Sequence, residues 1–324
     1  RGYSAWIPEW SMTQALQEAN AQKKGLESVQ IFAVYFDRMD RPFLPERIES
    51  WIEEESAGFL EKFSQEPKGV QIPVHLSIVN DIYDPKGSDF KNSDLVSRLL
   101  RDSETRARHI ADLLAILSRW PFDGLEIDYE RVRAEDWKSF LDFCGELHAE
   151  LKARNKVLRV ILEPQERFYA SPFPEGPEYV IMAYNLFGAH SGPGPKANPK
   201  FIRRIASWVN SMETKPRLAL ATGGFIWDEG QKPGKQAQSL TESEAHLLYQ
   251  REGITPERDP ASGYLVFKFP SDSKNPKTVW FADGETLAFL ADAARQSGFA
   301  DFALWSFAGN RRYSLDQWKN EAVK

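Results

Sequence analysis

Hydrophobic positions along this chain fall into two rhythms. Short apolar, β-branched or aromatic runs at 3–10, 29–37, 70–80, 124–130, 158–163, 179–185, 217–225 and 302–307 read as strands. Between them, apolar residues recur at helical spacing over 12–24, 103–119, 134–154, 199–212 and 284–297. Strand candidates mostly separated by helices imply a parallel sheet. Eight such units predict an α/β fold closed into a (β/α)8, or TIM, barrel. An open doubly wound sheet is the alternative, but no G-x-G-x-x-G follows the first strand, so its usual dinucleotide signature is missing.

Three Gly- and Pro-bearing loops, 186–200, 226–239 and 259–278, follow late strands or precede late helices. Loops after strands lie on the C-terminal face of such a barrel, where sites are built. Residues 263–281 read as a β-hairpin elaboration before the last helix. With no internal repeat or linker, residues 1–324 are expected to form a single barrel domain.

Composition narrows the function. A net charge of −6 speaks against nucleic acid or an anionic membrane as a partner. No apolar run reaches the roughly 18 residues that would predict membrane insertion. The single cysteine, Cys144, lies on the apolar face of 134–154 with Phe140, Leu141 and Leu147, so it is expected in a core. The chain opens at Arg1-Gly2-Tyr3, which reads as a trimmed or mature product. Histidines at 75, 109, 148, 190 and 246 show no ligand spacing, and neither a metal nor another cofactor is expected.

The stretch F-D-G-L-E-I-D-Y-E-R-V at 122–132 places Asp123, Glu126, Asp128 and Glu130 within eight positions. If 124–130 is the fourth strand, Leu125, Ile127 and Tyr129 face the helices. Glu126, Asp128 and Glu130 then face the barrel interior, about 6–7 Å apart and climbing toward its C-terminal rim. Glu130, last in the row, is expected to feel the negative charges below it. That suits a carboxylic acid donating to a leaving group such as a glycosidic oxygen.

D-G-L-E-I-D-Y-E resembles the D-G-x-D-x-D-x-E signature of family 18 glycoside hydrolases, the chitinase family. Met182-Ala183-Tyr184-Asn185 and Phe302-Ala303-Leu304-Trp305-Ser306 are similar to its sixth and last strands. The segment 278–287, T-V-W-F-A-D-G-E-T-L, resembles bacterial members acting on spore and cell-wall peptidoglycan. The resemblance implies substrate-assisted retaining hydrolysis, an exception to the two-carboxylate scheme. In that scheme Glu130 is the acid, Asp128 orients the substrate acetamido group, and Tyr184 hydrogen-bonds its oxygen. Glu126 and Asp123 complete the catalytic signature. Trp305 would floor the sugar site, with Met182, Asn185, Trp6, Trp227, Asn80 and Gln165 as further substrate-binding candidates and Trp10 as a groove-lining one.

Two departures stand out: Glu126 replaces the family's middle Asp, and Asn185 replaces its commoner Asp. The implied partner is an N-acetylglucosamine-containing glycan, of chitin, peptidoglycan or N-glycan type. The expected setting is secreted, periplasmic or cell-surface, and the expected state is a monomer. The apparent lack of the large groove-deepening insertion of many chitinases favours the cell-wall reading. The alternative is a catalytically inactive chitinase-like lectin on the same fold.

Overall fold

The computed structural model describes residues 2–53, 72–228, 231, 237–270 and 275–324. Parts of the expected strand 70–80 and of the loops 226–239 and 259–278 therefore lie outside the described residues.

Eight parallel strands close into a barrel: Tyr3–Pro8, Leu26–Phe36, Val74–Ile82, Gly124–Asp128, Val157–Leu162, Glu178–Met182, Arg217–Ala221 and Phe302–Trp305. Closure is made by the first strand, which pairs with the second on one side and the eighth on the other. Period-two alternation sorts side chains into two layers. Ile7, Ile31, Leu125, Ile127, Ile181, Leu218 and Leu304 pack outward against the helices. Trp6, Phe32, Val79, Val180, Met182, Ala219 and Ala303 fill the lumen, with Tyr184 and Trp305 packed on their upper side.

The helices start where capping chemistry allows. Pro199–Val209 has Asn198 as its N-cap, accepting from Phe201 N, with Pro at the first turn. Trp137–Lys152 buries Phe140, Cys144 and Leu147, as the periodicity predicts.

The expected hairpin is larger than the sequence indicates. Leu265–Phe269 pairs with Lys277–Ala282, but as two strands of a five-stranded antiparallel sheet with Gly223–Asp228, Ala237–Leu240 and Glu257–Arg258. The helix Glu242–Arg251 covers it, placing Ala245 beside the sheet cluster of Val279, Phe267 and Phe281. An insertion therefore does stand beside the barrel mouth, between the seventh strand and the helix Gly284–Gln296. Gly224 is required there, because a Cβ would lie 1.8 Å from the Trp280 carbonyl oxygen. Gly284–Gln296 is also not the last helix: the eighth strand and Arg312–Ala322 follow it.

Candidate active site

The fourth strand ends at Asp128, two residues sooner than the sequence pattern indicates. Glu130 sits just beyond it. Its position is fixed by Asn80 of the third strand, whose side chain bonds the Glu130 N–H and carbonyl, each at 2.9 Å.

The row rises out of the lumen. At its base Glu126 is fully buried, and every partner is a donor: Trp6 Nε1 at 2.5 Å, Ser77 Oγ at 2.6 Å and Arg159 Nε at 3.0 Å. Arg159 is equally buried and reaches Glu178 and Ser4 with its other nitrogens. Above it, Asp128 is buried and its Oδ1 has no protein partner. Burial pushes the Asp128 carboxyl well above the usual carboxylate range, and the Glu130 and Glu126 charges add to the effect.

Lys91 is the neighbour that the row of acids did not reveal. Its Nζ lies 2.5 Å from Glu130 Oε2. Burial alone would lower the Lys91 pKa, but Glu130, Asp128 and Glu163 outweigh it and hold the ammonium above its ordinary value. Asp81 fixes Lys91 through its backbone N–H at 2.6 Å, and Glu163 accepts from Arg131 N at 2.8 Å. Desolvation raises both of these carboxyls, opposed by those same backbone bonds.

Trp305 forms the floor. Its ring lies parallel to Tyr184 at 6.3 Å and edge-on to Phe32 at 5.1 Å, over Trp6 at 5.6 Å. Tyr184 is held protonated by burial and by Asp128, Glu130 and Glu126, so its hydroxyl is a donor.

Two cavities open here. One of about 880 Å³ takes Asp128, Glu130, Glu163, Gln165, Met182 and the exposed ring of Trp10 into its wall. A second of about 630 Å³ extends toward the insertion. They share Lys91, Arg131, Tyr184, Asn185, His190 and Trp305, so together they form one groove with Trp305 and Tyr184 at its waist. These volumes are in the range of small-ligand sites.

Of the residues singled out in the sequence, Glu130, Asp128, Tyr184, Trp305, Met182, Asn185 and Gln165 meet at this groove. Five do not line it, the first being Glu126, fully buried at the base of the row. Asp123 lies at the opposite end of its strand, accepting from Val74 N at 2.8 Å. Trp6 is buried beneath Trp305, and Asn80 is buried holding Glu130. Trp227 is buried in the insertion, donating to the Ser191 carbonyl at 3.0 Å. Among the described residues, no group of three or more His, Cys, Asp or Glu could hold a metal ion.

Fold and groove define an acid-lined (β/α)8 barrel protein. The chain belongs to the glycosyl hydrolases family 18, which it matches over residues 75–309. It is 22% identical over 226 residues to YdhD of Bacillus subtilis (strain 168), a candidate sporulation-specific glycosylase, covering 66% of this chain. The chain spans about half of that relative, 54% of its length. The spore cortex-lytic enzyme SleL of Bacillus cereus shares the fold at a TM-score of 0.78 and 16% identity, over 100% of this chain and 74% of that one. A chitinase from Chromobacterium violaceum does so at 0.78 and 16%, over 100% and 99%.

Proposed function

We propose that this protein hydrolyses β-linked glycans containing N-acetylglucosamine, of chitin or peptidoglycan type, by substrate-assisted retaining catalysis. The observation that carries the reading is the convergence of Glu130, Asp128 and Tyr184 on one cavity floored by Trp305. Glu130, at the rim, protonates the glycosidic oxygen through the oxygen that Lys91 leaves open. The substrate's acetamido carbonyl attacks the anomeric carbon, and the leaving group departs with that proton. Asp128 presents its unpartnered Oδ1 to the acetamido N–H, and positive charge developing on that group lowers the Asp128 pKa. The Tyr184 hydroxyl donates to the acetamido oxygen. Glu130 then takes a proton from water as it opens the cyclic intermediate, restoring the original anomer.

Met182, Asn185 and Gln165 bound the sugar laterally. One chain supplies all of these groups, so a monomer suffices, and polymers of this kind place the enzyme outside the cytoplasm. The test is an N-acetylglucosamine tetramer against its de-N-acetylated counterpart. Turnover of the first alone is expected, and equal turnover of the two overturns substrate assistance.

The Lys91–Glu130 contact favours a second reading, binding without turnover, because an acid held by an ammonium is less free to donate. Oligomer binding with no product on any such glycan would select it.

A further inference from the structure

The two halves of the groove differ in charge. The 880 Å³ cavity is walled by Glu9, Asp81, Asp128, Glu130 and Glu163. The 630 Å³ cavity, on the insertion side of Trp305, has no Asp or Glu among its described lining residues. Lys91, Arg131 and His190 line both halves, so Lys196 is the cation found only in this one, in a chain of net charge −6.

Lys196 is the informative member. Lys196 is 8% exposed, yet no carboxylate pairs with it among the described residues. One ammonium proton goes to the Thr222 carbonyl at 2.6 Å. An ammonium carries three donors, so two remain for an occupant of the cavity. Its backbone is fixed as well: the Lys196 carbonyl accepts from Leu186 N at 2.9 Å, beside Asn185, whose buried Oδ1 also has no partner. Burial without a counter-charge pushes the Lys196 pKa down to about 7. A buried cation in that state costs folding free energy, which an anionic ligand would offset.

We infer that the insertion-side half of the groove is a subsite for a carboxylate-bearing sugar, with Lys196 as the residue that recognises the carboxylate. The inference rests on the glycan reading above and narrows it. The preferred polymer alternates N-acetylglucosamine with a sugar whose carboxylate sits on a lactyl ether or an attached peptide stem, as in peptidoglycan. A neutral chitin chain leaves the Lys196 ammonium unpaired. Charge-assisted hydrogen bonds of this kind are about twice as strong as neutral ones.

The test uses three tetrasaccharide probes: the neutral N-acetylglucosamine tetramer, the alternating tetramer with free lactyl carboxylates, and its lactyl methyl ester. A fourth probe carries peptide stems. Wild type is expected to favour the free acid over the ester by about tenfold in kcat/KM, the effect of one such bond. Lys196→Met should abolish that ratio and Lys196→Arg should keep part of it. A preference appearing only with the peptide-bearing probe assigns the carboxylate to the stem and supports the subsite. Equal kcat/KM for acid, ester and peptide-bearing probes in wild type, or an unchanged ratio in Lys196→Met, overturns it. Should no probe be hydrolysed, the proposed hydrolysis fails separately, and calorimetric affinities for acid and ester still decide the subsite.

Discussion

Asn80 grips the main chain of Glu130 from both sides, accepting from its N–H and donating to its carbonyl, each at 2.9 Å. Asn80 is 1% exposed and does not line the cavity, so its contribution is to hold the acid rather than touch sugar. A misplacement of about 1 Å at a reacting group can cost on the order of a hundredfold in rate. Asn80→Ala should therefore lower kcat by about ten- to a hundredfold while KM for an N-acetylglucosamine oligomer stays within about twofold. A rise in KM with kcat intact would instead make Asn80 a sugar contact.

Arg159 and Glu126 form an ion pair at 3.0 Å with neither side chain exposed. Removing one partner of such a pair leaves a buried charge and costs roughly 3–5 kcal/mol. Arg159→Met is expected to be destabilised by about that much in urea denaturation, and adding Glu126→Gln should recover part of the loss. Full stability in the single variant would contradict the pairing. Because both Glu126 oxygens are already engaged by donors, its side chain is locked in place beneath Asp128.

Asp128 makes a prediction with a definite sign. Its carboxyl is raised by burial first, then by Glu130 and Glu126. The folded state thus keeps this proton to higher pH than the unfolded chain, whose Asp titrates near about 4. Stability from this site is lost as pH rises from there through the folded value, by up to about 1.4 kcal/mol per pH unit. Asn cannot titrate, so Asp128→Asn should gain stability over wild type between pH 4 and 7 while losing about 10²–10³-fold in turnover. Thermal melts at the two pH values check the sign, and a constant or shrinking gap contradicts it.

The barrel and the carboxylate row were readable because one alternation encodes both. Leu125 and Ile127 bind the fourth strand to the outer layer, so Glu126 and Asp128 must enter the lumen. The same parity places Asp123 with Leu125 rather than with the row, a signal the motif reading passed over. Lys91 and Arg159 were not readable, since they meet the acids from neighbouring strands or loops, about 30 to 40 residues away. The insertion was missed for a different reason. Its strands Ala237–Leu240 and Glu257–Arg258 are short and mostly polar or half-exposed, without the apolar run that marks a barrel strand.

The most direct measurement is the fate of the anomeric configuration when wild type and Glu130→Gln act on N-acetylglucosamine oligomers, followed by NMR. β-Linked substrate is expected to give β-anomeric product in wild type, with a loss of about a thousandfold or more in Glu130→Gln while oligomer binding is retained. Inverted product, or turnover persisting in Glu130→Gln, would contradict the proposed mechanism.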